Sequence, residues 1–82
     1  MIASCFTISG NGCEPSTFII MDDHRVFVHN AELGLFPHKW HAFSRELSDH
    51  IAEMVLDGFT IKPATKKQIA QYTKYIKEHF GG

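Results

Sequence analysis

With 82 residues, of which 44% are hydrophobic and 21% charged, the chain is too apolar for a disordered protein and too short for two domains. We therefore treat residues 1–82 as one domain. The formal net charge of −1 hides an uneven distribution. Residues 42–57 carry one arginine against four acidic residues, whereas residues 58–82 carry five lysines against one glutamate.

The sequence carries no recognisable signal for secretion or membrane insertion. No basic stretch precedes an apolar run, and no stretch approaches about 18 apolar residues. We therefore expect neither a signal peptide nor a transmembrane helix, and a cytoplasmic protein. Cys5 and Cys13 are expected to be free thiols, since small disulfide-stapled domains usually carry four or more cysteines.

The first strand is predicted from Met1 to Ser9, which is rich in β-branched and aromatic residues. It ends at Gly10-Asn11-Gly12, a strong turn signal. Residues 13–15 are expected to form an irregular loop, because Pro15 cannot sit in a central strand. The first strand could pair with either of the two strands that follow.

The next two strands are predicted to form a hairpin. Ser16 to Met21 and Arg25 to His29 flank the polar residues Asp22-Asp23-His24. A two-residue loop at Asp23-His24 would pair Asp22 with Arg25. The same register would give three apolar pairs: Met21 with Val26, Ile20 with Phe27, and Ile19 with Val28. A one-residue slip would change every partner.

Two helices are predicted in the second half of the chain. Pro37 to Gly58 has helical periodicity, with Pro37 in the first turn and Gly58 at the C-cap. Its apolar side chains form one stripe: Trp40, Phe43, Leu47, Ile51, Met54 and Val55. Residues 59–63 are expected to be extended. A capping box from Thr65 to Gln68 opens the second helix, which Gly81-Gly82 ends.

These elements predict an α+β fold, β-β-β-α-α, in which a three-stranded antiparallel sheet is followed by two helices. The central helix would cover one face of the sheet, and the C-terminal helix would pack against both. Two helices on one side would leave the other face of the sheet uncovered. Apolar residues on that face and in residues 30–36 are therefore the predicted partner-binding residues: Phe18, Ile20, Phe27, Leu33, Leu35 and Phe36. Alternatively, residues 30–36 fold over this face.

The first functional hypothesis is a small non-enzymatic, regulatory protein that binds a partner protein or forms a homodimer. Proteins of this size that block a host protein are common among phage and mobile-element products, so such an origin is part of the hypothesis.

The alternative hypothesis is nucleic-acid binding through one face of the second helix. Four lysines, which we call the lysine face, fall within an arc of about 100° on that helix: Lys66, Lys67, Lys74 and Lys77. If the helices pack side by side, acidic residues of the central helix would neutralise some of them. The strands are poor candidates for reading a groove, because only Arg25 in them is cationic. Tyr75, on the other flank of this helix, is a candidate contact residue if exposed.

No arrangement of residues predicts a catalytic, cofactor or metal site, so we expect a protein that is not an enzyme. The spacings between Cys5 and Cys13 and between His38 and His41 match no zinc finger. Any of six histidines could be paired with either thiol, which gives no basis for a nucleophile and base. Cys5, placed in a strand, is expected to be a small buried hydrophobic residue.

Overall fold

Five strands form one antiparallel sheet in the computed structural model of the protein, which describes residues 1–81. The strands are β1 (Ile2–Gly10), β2 (Cys13–Met21), β3 (Val26–Asn30), β4 (Gly34–Pro37) and β5 (Thr60–Pro63), and the helices are α1 (Arg45–Leu56) and α2 (Lys66–Phe80). The order across the sheet is β4-β3-β2-β1-β5. The α+β class, with an antiparallel sheet and two helices, is confirmed. The predicted count of three strands is wrong.

The two additional strands lie at the edges of the sheet. Residues 34–37 pair with β3 instead of folding over a face of the sheet, with Leu35 opposite His29. Residues 60–63, predicted only to be extended, return after α1 and pair with β1. Both strands have four residues and end in proline, so their sequences carry little periodicity from which to predict them.

The turn between β1 and β2 is confirmed and explains how β1 pairs. Asn11 and Gly12 form a two-residue loop, and both have the positive φ that a type I′ turn requires. β1 therefore pairs with β2, while its other edge receives β5. Residues 13–15 belong to β2, contrary to the predicted loop. Pro15 is tolerated because β3 pairs with β2 only from Ser16 onward.

The register of β2 with β3 differs by one residue from the predicted register. The loop has three residues, since the Met21 N–H donates to the Arg25 carbonyl at 2.8 Å and His24 takes a positive φ of 74°. The observed pairs are Ile20 with Val26, Ile19 with Phe27, and Phe18 with Val28. The predicted pair of Asp22 with Arg25 is wrong. Arg25 instead binds Asp23, at 2.8 Å between Nε and Oδ2.

The continuous apolar runs of β2 and β3 give the sheet two apolar faces, and each face is covered by one helix. On the α1 face, Leu47 packs with Ile8, Phe18, Val26 and Val28. On the α2 face, Ile76 packs with Cys5, Ile19, Met21 and Phe27. Neighbouring residues of β2 alternate between these two sets, so the helices lie on opposite faces. The predicted placement of both helices on one side is wrong, whereas the burial of Cys5 is confirmed.

The central helix is shorter at its start than predicted. Pro37 completes β4, and the following His38 N–H donates to the Val26 carbonyl at 2.7 Å. α1 begins only after Ser44, whose side chain accepts a hydrogen bond from the Leu47 N–H. Residues 38–44 therefore form a strap rather than a helix.

The strap contributes to the core without following the predicted stripe. Trp40 and Ala42 pack on the α1 face, but Phe43 is 82% exposed. Val55 is exposed as well, near the end of α1. The predicted stripe therefore holds only in part, for Trp40, Leu47, Ile51 and Met54.

The start of the second helix is confirmed. The Thr65 side chain accepts from the Gln68 N–H, and the Gln68 side chain accepts from the Thr65 N–H, as a capping box requires. Gly81 caps the other end with a positive φ, and Gly82 lies outside the described residues. Neither helix within residues 1–81 combines the length and hydropathy that crossing a bilayer requires.

Separate cores on the two faces predict additive losses of stability. Leu47→Ala should lower the free energy of unfolding by about 2–5 kcal/mol, and Ile76→Val by about 0.5–1.5 kcal/mol, measured by urea unfolding. The double variant should show the sum within about 0.5 kcal/mol, because the sheet separates the two sites. Leu56→Ala is the control, since Leu56 is 86% exposed on α1. A strongly non-additive double variant would contradict two independently packed faces.

Candidate binding cleft

A cleft of about 360 Å³ lies between α2 and the strands β3 and β4. Its lining residues are His29, Gly34, Leu35, Gln68, Gln71, Tyr72 and Tyr75. The four helical residues recur at three- and four-residue spacing, which places them on one side of α2. His29 and Leu35 are cross-strand partners and so project from the same face of the sheet. The cleft is thus built by one side of one helix and one sheet edge.

A hydrogen bond between the helix and the sheet forms the inner wall of the cleft. The Tyr72 hydroxyl and His29 Nδ1 are 2.8 Å apart. The two rings meet edge to face, with centroids 5.4 Å apart. Tyr72 also packs against the buried residues of the α2 face. This pair fixes both rings at the contact between α2 and β3.

The outer part of the cleft presents polar groups with unused hydrogen-bonding capacity. The Gln68 Oε1 accepts from the Thr65 N–H at 2.9 Å, which leaves its amide NH₂ available. The exposed Gln71 amide takes part in no side-chain hydrogen bond found among residues 1–81. Tyr75 is 45% exposed and stacks on His79, with centroids 4.2 Å apart. A ligand in the cleft would therefore meet aromatic rings and amide groups together.

The lining contains no aspartate, glutamate, lysine or arginine. A charged ligand would lose hydration there without gaining an opposite charge from the lining, which is costly. The cleft is therefore suited to an uncharged group.

The lysine face is centred on a different side of α2 from this cleft, although Lys67 and Lys74 adjoin the lining residue Gln71 at four- and three-residue spacing. Lys66, Lys67, Lys74 and Lys77 are all exposed on α2. At about 100° per residue, the centre of their arc lies about 140° around the helix from the centre of the cleft residues. The two ion pairs found among residues 1–81 join the Met1 amine to Asp22 and Asp23 to Arg25, so neither involves these lysines. The predicted neutralisation by the acidic central helix is wrong, because α1 lies on the opposite face of the sheet.

The six predicted partner-binding residues do not form one surface. Phe18 is buried under α1, and Phe27 is buried under α2. Ile20 and Phe36 are partly buried on the α1 face. The premise that these residues share an uncovered face is wrong, because the register of β2 with β3 puts Phe27 on the face opposite Phe18 and Ile20, and a helix covers each face.

Two of the predicted residues do belong to the region of the cleft. Leu35 lines it, and Leu33, 71% exposed, directly precedes the lining residue Gly34. Tyr75, noted as a candidate contact residue, is also part of the lining. Sequence reasoning missed the other lining residues. The spacing of Gln68, Gln71, Tyr72 and Tyr75 was the available signal for the helical wall.

Within residues 1–81, no group of three or more histidine, cysteine or acidic residues is placed to hold a metal ion. Cys5 is buried, and burial raises the pKa of its thiol, whereas Cys13 is exposed. Both are free thiols. No protein-family model, curated protein or solved structure matches the chain. Its function must therefore be inferred from its own residues.

His38, at the start of the strap, lies between aromatic rings rather than in a ligand set. Its ring is 5.0 Å from that of Trp40 and 6.1 Å from that of Phe18, and its Nδ1 accepts from the Trp40 N–H at 3.1 Å. Burial, followed by the nearby His50 and Lys39, lowers the pKa of His38 below its ordinary value of 6.5.

This lowered pKa predicts a loss of stability in mild acid. The unfolded chain binds a proton at His38 more readily than the folded protein does, so the free energy of unfolding should fall as the pH drops through 6.5. The loss should be complete once the pH lies below the folded-state pKa. Urea unfolding of the wild type and of His38→Gln, over this pH range, measures the difference. If both proteins show the same pH dependence, His38 is not its source.

Proposed function

We propose that this protein is a non-enzymatic binding module that regulates a partner protein, which it contacts through the cleft between α2 and the β3–β4 edge. The cleft itself is the observation that carries the proposal. It is concave and lined mainly by aromatic, amide and apolar groups. Tyr75 and Gln71 are exposed and form its mouth. Specific binding sites commonly have this combination of properties.

The composition of the cleft favours a protein as the partner. Tyrosine is enriched in protein interfaces, because one side chain supplies apolar area and a hydroxyl. Tyr72 and Tyr75 both line the cleft, and the exposed Leu33 adds apolar surface next to it. The absence of charge in the lining fits the depletion of charged residues at interface centres.

The edges of the sheet are less suited to binding than the cleft. The Ala64 N–H donates to the Cys5 carbonyl, and the His38 N–H donates to the Val26 carbonyl. N–H groups alternate in direction along a strand, so Pro63 and Pro37 occupy positions that face away from the sheet. Each edge thus lacks one outward N–H, which weakens pairing with another strand. A partner would therefore be recognised by side chains rather than by strand addition.

The chemistry of the cleft supports binding rather than catalysis. Its lining holds no carboxylate, thiol or amine, and its histidine is hydrogen-bonded to Tyr72. A cytoplasmic location and an origin in a phage or mobile element remain part of the proposal. The free thiols of Cys5 and Cys13 are compatible with a reducing compartment.

The proposal predicts that one residue at the mouth of the cleft controls partner binding. Tyr75→Ala should lower recovery of a stoichiometric partner from native host extract at least about tenfold, as expected for an aromatic anchor. Quantitative mass spectrometry of the captured proteins is the measurement. Leu56→Ser is the matched control, because Leu56 is exposed on the helix that covers the opposite face.

A second measurement distinguishes a foreign partner from a second copy of this chain. Light scattering over a hundredfold range of concentration, on wild type and Tyr75→Ala, shows whether the cleft holds a homodimer together. A partner recovered equally by wild type and Tyr75→Ala would contradict this site. A wild-type protein that is monomeric and retains no stoichiometric partner would contradict the function.

Nucleic-acid binding through the lysine face is the second candidate function. It is favoured by the four exposed lysines of α2, which have no ion-pair partner among residues 1–81. A cationic face of this kind would bind phosphates without reading sequence.

Replacing Lys66, Lys67, Lys74 and Lys77 by glutamine should abolish any such binding, because the lost charges supply the affinity. Fluorescence anisotropy with a labelled duplex and a labelled single strand, at two salt concentrations, is the measurement. Lys62→Gln on β5 is the control. If the wild type does not bind, or if the fourfold variant binds as well as the wild type, this candidate function is excluded at this face.

A further inference from the structure

We infer that the cleft receives an uncharged aromatic side chain with a polar edge, tyrosine or tryptophan, presented by the partner. The inference rests on the proposed function, because it specifies what the partner inserts. The size of the cleft, its aromatic rings, its free amide groups and its lack of charge all favour such an occupant.

The walls of the cleft are suited to a flat ring. Tyr72 is held edge to face against His29, and Tyr75 is stacked on His79, so both tyrosine rings are already positioned by neighbours. Aromatic pairs of this kind attract one another beyond the apolar area that they bury. A volume of about 360 Å³ is at the small end of ligand sites and is sufficient for one large side chain.

The polar groups select among aromatic side chains. The Gln71 amide offers both a donor and an acceptor, and the Gln68 NH₂ offers a donor. A phenol hydroxyl or an indole N–H can bond to Gln71, whereas a phenylalanine ring would cover the amide without replacing its bonds to water. The uncharged lining disfavours a phosphorylated tyrosine for the same reason that it disfavours any ion.

The lining of the cleft argues against a nucleotide as the occupant. A base in the cleft would carry its phosphates nearby, but no lysine or arginine belongs to the lining. The centre of the lysine face lies about 140° around α2 from the centre of the cleft residues, although Lys67 and Lys74 adjoin Gln71 at four- and three-residue spacing. A phosphate would therefore find its nearest cations beside the cleft rather than within it, and adenosine is the probe that tests this alternative.

The test uses small blocked amino acids as probes of the intact protein. N-acetyltyrosinamide and N-acetyltryptophanamide are titrated while amide resonances are followed by NMR, including the side-chain NH₂ groups of Gln68 and Gln71. We expect saturable shifts at these groups, with a Kd on the order of 1 mM. N-acetylphenylalaninamide should bind about fivefold more weakly, and Gln71→Leu should remove that difference.

Tyr75→Ala should weaken binding of all the probes, whereas Leu56→Ser should leave it unchanged, with well-dispersed spectra as the check on folding. The inference would be overturned by equal affinity for the phenylalanine probe or by the absence of any saturable shift. It would also be overturned if N-acetylphosphotyrosinamide or adenosine, titrated in the same way, bound more tightly than the tyrosine probe. If no probe binds but partner recovery still depends on Tyr75, the inference fails and the proposed function stands. If the probes bind as expected but no partner is recovered, the specificity stands and the proposed function fails.

Discussion

The three-residue loop between β2 and β3 is the constraint on which the rest of the structure depends. His24 adopts a positive φ and Met21 bonds to Arg25 across the loop, so Ile19 lies opposite Phe27. Both strands contain continuous apolar runs that place residues on each face, so neither face can be left in water, and the register decides which residues of the two strands share a face. A shift by one residue would place Phe27 under the other helix. The loop therefore decides which residues belong to which core.

Covering two faces with two helices determines the path of the remaining chain. From β4 at one edge, the strap and α1 cover one face, and the chain reaches the opposite edge as β5. α2 then returns over the other face. Pro37 and Pro63 stand at the ends of the two edge strands, where their missing N–H groups face outward. The same two residues thus allow the sheet to end at five strands.

The features that could be predicted from the sequence depend on local chemistry. The Asn11-Gly12 turn and the capping box of α2 are set by residues adjacent in the chain, and both were predicted. The strands β4 and β5 become strands only by pairing with partners already in the sheet, so four residues could not reveal them. The start of α1 was misplaced for a related reason, because Pro37 is used to complete β4. The residues of α2 that line the cleft recur at helical spacing, which the sequence shows. The approach of His29 to Tyr72 depends on the whole fold.

We propose the cleft as a site rather than as a gap in the packing, on the grounds of its polar lining. If α2 moved closer to the β3–β4 edge, the amides of Gln68 and Gln71 would be buried without enough partners, at a cost that apolar contact there would not offset. The bond between Tyr72 and His29 also holds the helix at a fixed distance from the sheet. The amides remain hydrated while the cleft is empty. An occupant that replaces their bonds to water would allow them to be buried without that cost. The polarity that keeps the cleft open would therefore also give the proposed site its selectivity.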